Sequence, residues 1–491
     1  MKKINKETVN IYWFKKDLRL FDNEALEQAV NDHKPLILLY IYEPELWRQD
    51  DSSFRHFKFI QETVNELAHL CLKHKLILNI FQAEVIEILT FINDKYRVNA
   101  IFSHQETGNM WSYKRDIKLA AWCQEKQIIW HEIAQHGVVR ALKDRDGWSN
   151  KWYQKMSQKL VNNSLNFPTI RVKDNDEILA KNLDLEFDKI EEVQIGGREL
   201  ALANLKSFFK DRGENYSKEM SSPVTAGTAC SRISPYLTYG CLSIREIYQY
   251  AENQKKQLRY RNNSSLWLRS INSFTGRLRW HCHFMQKLED EPEIEFKAMH
   301  PAYEELDRGY NEEYFNAWAS GNTGFTMIDA VMRALIKHGW INFRMRAMLV
   351  SFATNHLWLD WRIIAKYLAR LFIDYEPGIH YSQIQMQAAI TGINAIRIYN
   401  PVKQATDQDK EGKFIRKYIP ELKDVSTKNL AYPAAEPLLI GQYPYPIIDE
   451  LSARKEAAKK LYNIRKQVNF NEIAKIIIKK HASRKTRSKK I

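Results

Sequence analysis

Leu36-Ile-Leu-Leu-Tyr-Ile-Tyr42 is an unbroken run of aliphatic and aromatic residues. It is too short for a buried helix and too uniformly apolar for a strand with one wet face. A run of this kind suits a strand covered on both sides, as in a parallel sheet. Residues 9–13 form a similar run before it, and residues 76–81, 98–102 and 128–133 form three more after it. Amphipathic stretches at 54–72 and 113–126 lie between them. This alternation predicts an α/β, Rossmann-like parallel-sheet domain over residues 1–135. No GxGxxG or GxxxxGK[ST] loop follows the first strand, which argues against an ordinary dinucleotide or nucleoside-triphosphate site there.

Beyond the sheet the character changes. Residues 136–200 are polar, hold Gly147, Pro168, Gly196 and Gly197, and lack sustained periodicity, so a surface connector is expected. From Glu199 onward, 200–209, 243–252, 265–288, 303–318, 327–337, 343–356 and 361–372 carry apolar residues at helical spacing. They predict a large all-α domain over 201–478. The final KKHASRKTRSKKI, residues 479–491, reads as a basic tail without fixed structure.

Lysine and arginine number 74 against 59 acidic residues, a net charge of +15 with an isoelectric point near 9.3. An excess of that size describes partners, and nucleic acid is the natural one. Five cysteines without a CxxC pair exclude a disulfide framework and give no zinc or iron–sulfur spacing. The amino terminus shows no signal-peptide core, and no apolar run reaches the ~18 residues of a membrane span. A cytoplasmic monomer with no membrane partner and no metal is expected.

Three blocks carry chemistry. Trp13-Phe-Lys-Lys-Asp-Leu-Arg-Leu-Phe-Asp-Asn-Glu-Ala-Leu26 is a strand running into a charged turn, with Asp22 and Asn23 able to cap the next helix. Cys230-Ser-Arg-Ile-Ser-Pro-Tyr-Leu237 gathers small hydroxyls before a helix, where O–H groups and free N–H groups suit a pyrophosphate. Gly321-Asn-Thr-Gly-Phe-Thr-Met-Ile-Asp-Ala-Val-Met-Arg333 continues through Gly339-Trp-Ile-Asn-Phe-Arg-Met-Arg346, Asp360-Trp-Arg362, Phe372-Ile-Asp374 and Tyr399-Asn-Pro401.

In this order, over most of residues 9–422, the blocks resemble the photolyase/cryptochrome family. The resemblance implies FAD held in the helical domain. Tyr216, Ser231, Arg232, Ile233 and Ser234 would lie at its phosphates, and Arg346, Asp374, Glu376 and His380 around its ring. Trp280, Arg344 and Arg277 fall at positions that contact damaged DNA. Trp361 matches the middle tryptophan of the family's photoreduction relay, which makes Trp361 and His380 the candidate catalytic residues. A second, antenna chromophore of folate or deazaflavin type is also implied, with Glu106 and Arg115-Asp116 resembling the stretch around it. The implied activity is blue-light-driven repair of cyclobutane pyrimidine dimers in DNA by electron transfer from reduced flavin. The alternative is a cryptochrome-like photoreceptor that binds FAD without repair.

The chain also departs from the family pattern. Cys230 stands for a usual Thr, so one hydroxyl is missing. His380 stands where an Asn usually faces flavin N5, and a histidine there is expected to titrate near neutral pH. Ile384 replaces the tryptophan nearest the flavin, and the outermost relay position falls near Arg308. Trp358, Trp340 and Tyr381 are left as candidates for another electron path. Arg277 replaces a lesion-contacting carboxylate and Phe343 an Asn. No His–His pair follows Gly339-Trp340, which argues against (6-4) repair.

Overall fold

The computed structural model describes residues 6–172, 180–188, 192–260, 265–438 and 440–482. Five parallel strands, β1 (Thr8–Phe14), β2 (Leu36–Tyr42), β3 (Leu78–Gln82), β4 (Arg97–His104) and β5 (Ile129–Ile133), form one sheet in the order β3-β2-β1-β4-β5. Every residue of β2 is buried, for the reason its sequence implies: both faces of the sheet are covered. Val9, Ile11, Trp13, Ile37 and Leu39 feed one core, together with Leu89 and Leu119 from the flanking helices. Tyr12, Phe14, Leu36 and Leu38 feed another, which runs on without a break into Phe208, Tyr236, Phe274 and Cys282 of the helical half. A third core, around Met327, Val331, Met348 and Leu368, belongs to the helical half alone.

The long helices fall close to their expected positions, among them Phe54–Lys73, Ile244–Tyr260, Ser265–Asp290, Thr326–His338 and Trp361–Leu371. Four departures stand out. The span 303–318 is not one helix. A 3-10 turn, Pro301–Glu305, ends before Asp307-Arg308-Gly309, and the helix Glu312–Ser320 begins afresh where the Asn311 side chain accepts from the Tyr314 N–H at 2.9 Å. The span 343–356 is helical to Ser351 and then widens into a π turn, Phe352–His356. The polar connector contains a helix, Trp148–Ser157, whose Trp148, Trp152 and Met156 are buried at four-residue spacing. The last helix, Phe470–His481, extends into the stretch expected to be a tail, because Lys480 and His481 both reach Glu291, at 2.8 and 2.7 Å. Residues 483–491 of that stretch lie outside the described residues.

At the corner after β1, Asn23 caps the helix Glu24–Asn31 by accepting from the Leu26 N–H at 2.9 Å. Asp22 instead crosses to the helical half, pairing with Arg245 and accepting from the Ser243 hydroxyl. Nearby, the Leu18 N–H donates to the Tyr239 carbonyl at 3.2 Å and Arg19 donates to the Gly240 carbonyl at 3.1 Å. Gly240 has φ +69°, and a Cβ there would lie 2.3 Å from the Lys16 carbonyl oxygen, so only glycine allows this approach.

Asp22 and Arg245 expose 1% and 4% of their side chains, so removing one partner strands a buried charge. Arg245→Ala should cost about 3–5 kcal/mol in denaturant unfolding. The exposed pair Lys366–Asp50, at 51% and 71%, is the control; Lys366→Ala should change stability by less than about 1 kcal/mol. Equal losses from the two variants would show that burial does not set the strength of these pairs.

Candidate functional site

Three separate segments converge below the corner. Ser234 opens the helix Ser234–Thr238, Arg346 lies in the first turn of Phe343–Ser351, and Asp374 follows Trp361–Leu371. Arg346 grips Asp374 with both ends of its fork, Nη1 to Oδ1 at 3.0 Å and Nη2 to Oδ2 at 2.9 Å. Its Nε donates to the Ile341 carbonyl at 2.9 Å, and its guanidinium carbon sits 4.2 Å from the centroid of the Phe372 ring. Burial works to raise the Asp374 pKa, but Arg346 and the Ser234 hydroxyl outweigh it and hold the carboxyl below the ordinary carboxylate range.

Arg232 occupies a left-handed backbone conformation, φ +60°, a strained geometry that the surrounding contacts enforce. Its side chain donates to Gln194 Oε1 at 3.0 and 2.8 Å and lies 4.0 Å from the Trp340 ring centroid. Burial pushes its pKa down to about 10. Arg212 donates to the Thr228 and Cys230 carbonyls, at 2.5 and 2.6 Å, and to that of Ser231 at 3.4 Å, which fixes the loop ahead of Ser234. Ile233 is buried in the core shared by the two halves. Tyr216 packs on Phe208 and Phe274, and Arg277 acts electrostatically on its hydroxyl.

The guanidiniums of Arg232, Arg277, Arg212 and Arg346 all act on the Cys230 thiol, although burial dominates and pushes that thiol up to about 11. Asp374 is the carboxylate paired within this group, so positive charge is in excess. Ser217 Oγ, Arg344 Nε and Glu376 Oε1 are buried without a protein hydrogen-bond partner. A cationic, hydroxyl-lined cluster fits a diphosphate, and the buried Glu376 oxygen, which has no hydrogen-bond partner and only Lys16 as counter-charge, fits a ring with a polar edge. The residues present therefore fit FAD.

Glu376 sits 3.6 Å from Lys16 Nζ, and burial pushes its pKa up to about 7 against that lysine's pull. The His380 Nε2 lies 2.8 Å from the Ala365 carbonyl. A carbonyl only accepts, so Nε2 carries the hydrogen and Nδ1 is left as an acceptor. Burial pushes the His380 pKa down to about 4, which overturns the expected titration near neutrality. Ile384 and Trp361 are buried, and no ring pair of the described residues joins Trp361 to another aromatic ring. Arg308, expected near the outer relay position, donates to Asn355 Oδ1 at 2.8 Å and the Ala388 carbonyl at 3.0 Å, with Trp358 beside it.

Trp280 is 42% exposed on the helix Ser265–Asp290, stacked on Phe284 with centroids 5.5 Å apart. Phe343 is 46% exposed and Arg344 half-buried. Arg277, one turn before Trp280, donates to the Met220 sulfur at 3.1 Å and so joins the exposed face to the Tyr216–Cys230 cluster. Arg115 pairs with Glu106, Asp116 and Glu43 at 2.7–2.9 Å. Sequence alone missed Gln194, Arg212 and Lys16. Gln194 lies in the irregular connector, and Lys16 belongs to a block whose residues read as purely structural.

Because the Asp374 pKa is depressed, its pairing stabilises the fold above the ordinary carboxylate pKa of about 4, and that contribution is lost as pH falls through the folded value. Asp374→Asn should lose bound flavin and about 3 kcal/mol of stability at pH 7, with the deficit closing on acidification. Denaturant unfolding of both proteins across pH measures this. A deficit independent of pH would rule out the charge pair as its source.

Two family models match the chain: "DNA photolyase" over residues 10–167 and "FAD binding domain of DNA photolyase" over residues 274–463. The chain is similar to a deoxyribodipyrimidine photo-lyase of Buchnera aphidicola, 28% identical over 94% of this chain and 98% of that one. Among solved structures, an archaeal photolyase from Sulfolobus tokodaii with two FAD molecules has a TM-score of 0.77 at 25% identity, over 93% of this chain and 99% of that one. A Synechocystis cryptochrome shares the fold at a TM-score of 0.83, with 21% identity over 94% of this chain and 100% of that one. With the geometry of the pocket, these matches place the chain in the photolyase/cryptochrome family.

Proposed function

We propose that this chain is a deoxyribodipyrimidine photo-lyase that uses FAD and blue light to split cyclobutane pyrimidine dimers in DNA. The observation that carries the proposal is the continuity along one helix between an exposed stacking surface, Trp280 on Phe284, and the half-buried arginine cluster around Cys230 that the exposed Arg277 joins one turn earlier. An extruded dimer needs a stacking platform beside the cofactor, and this continuity supports that reading.

In this role Ser231, Arg232, Ser234 and Tyr216 hold the FAD phosphates, with Ile233 fixing the loop between the hydroxyls. The Arg346–Asp374 pair offers fixed charge beside the ring without reorganising. Glu376 faces the ring's polar edge, and His380 holds an acceptor nitrogen where the family places its N5 contact. The chemistry supplied by a bound, reduced flavin is a light-driven electron transfer that opens the cyclobutane ring and then recovers the electron. Arg344 and the excess of 15 positive charges attract the DNA backbone. We further propose a monomer working in the cytoplasm, in keeping with five unpaired cysteines. A second, antenna chromophore beside Glu106, Arg115 and Asp116 remains part of this proposal.

Chemically reduced protein under blue light should remove dimers from an oligonucleotide and leave them untouched in the dark. Flavin-loaded protein without dimer loss would favour the photoreceptor alternative, to which Arg277 and Phe343 in place of the family's lesion contacts lend support. Trp280→Ala should weaken dimer-containing DNA by about 1–3 kcal/mol while affinity for undamaged DNA changes little. The log–log salt slope should be close to −0.9 per phosphate contacted in both proteins. Equal losses on damaged and undamaged DNA would remove Trp280 from lesion reading.

A further inference from the structure

Resting on the FAD assignment above, we propose that Tyr375, with Asp51 as its proton acceptor, is the electron donor that reduces the light-excited oxidised flavin in this chain. The interrupted tryptophan relay leaves that step without an obvious source, and among the described residues a connected set of rings that includes a hydrogen-bonded phenol runs beside the Arg346–Asp374 pair. Phe372 lies under Arg346; its centroid is 6.1 Å from that of His380, which is 5.1 Å from that of Tyr375. Tyr381 continues the cluster, 5.4 Å from His380, and His56 stacks on Tyr375 at 5.9 Å. Tyr375 directly follows Asp374 in the chain, so its backbone begins at the carboxylate that Arg346 holds.

A buried phenol is hard to oxidise unless its proton has somewhere to go, because a cationic radical would be stranded away from water. Here the Tyr375 hydroxyl donates to Asp51 Oδ2 at 2.5 Å, and the Asn109 amide donates to the same oxygen at 3.0 Å. Asp51 is 4% exposed, and the Tyr381 hydroxyl lies 3.4 Å from that of Tyr375. Burial raises the Tyr375 pKa, with Asp51 adding to the effect, so the phenol enters photochemistry protonated.

The step balances as follows in atoms and charge. Tyr375 loses one electron to the excited flavin; its O–H bond breaks and the proton forms an O–H bond on Asp51. The buried pair passes from one negative charge to none, which favours the electron's departure. An external thiol then returns one electron to the tyrosyl oxygen and releases its proton to solvent, Asp51 returns the phenol's proton, and two such thiols from two turnovers join as one disulfide.

The test uses the flavin-loaded, oxidised full chain with a thiol under blue light, following the flavin bands and the radical trapped by freezing. Tyr375→Phe and Asp51→Asn should each slow photoreduction about tenfold or more, a barrier rise of at least ~1.4 kcal/mol, while keeping their flavin. Deuterated water should slow the unmodified protein, because a proton moves with the electron. Ring-deuterated tyrosine should narrow the radical's electron paramagnetic resonance line in the unmodified protein, a result that stands even if a variant fails to fold. A line unchanged by tyrosine deuteration, or Tyr375→Phe photoreducing at the parent rate, would overturn the proposal. Dimer loss by chemically reduced parent protein tests the repair assignment separately, since it bypasses photoreduction.

Discussion

The carboxyl ends of the parallel strands carry Lys15, Lys16, Asp17, Arg19 and Asp22 after β1, His104 and Glu106 at the end of β4, and Glu132 in β5. In an open α/β sheet this edge faces solvent or a ligand. Here the helical half covers much of it, and buried charges are tolerated only when paired. Asp17 therefore accepts from Tyr12 at 2.5 Å and pairs with His104 at 2.7 Å, Lys15 reaches Asp116 at 3.3 Å, and Asp22 holds Arg245 across the junction. Lys16 is the charge left over, and Glu376 at the edge of the pocket answers it. The requirement that this polar edge be satisfied thus places the junction between the halves, and with it one wall of the site.

Much of the fold was legible because burial on both faces of a parallel sheet leaves a plain mark. The Leu36–Tyr42 run has no polar position, and its bounds in the structure are those of the sequence run. What escaped notice depended on single polar residues or on distant partners. Asn311 restarts a helix that apolar spacing alone would carry through. The buried side of Trp148–Ser157 is masked by Lys151, Gln154 and Lys155 on its other faces. Lys480 and His481 join a helix because Glu291, remote in sequence, receives them.

The site divides along the same line. Arg346 and Asp374 stand in a recognisable block, and their bidentate contact is what a guanidinium and a carboxylate do when buried together. The position of His380 was legible but its protonation was not, since that depends on the carbonyl of Ala365, fifteen residues earlier on a neighbouring helix. Asp51 could not be linked to Tyr375 from the sequence, because 324 residues separate them and Asp51 lies in a turn before the helix Phe54–Lys73. Long-range polar partners of this kind carry no periodicity, so only the folded chain reveals them.

The most direct measurement of the central claim is a crystal structure of the purified, flavin-loaded protein. The diphosphate should lie against Ser231, Arg232 and Ser234, with the ring beside Arg346 and Asp374 and within reach of His380. A flavin seated instead at the β1–β4 crevice of the sheet, with the Arg346–Asp374 pocket holding no cofactor, would contradict the account.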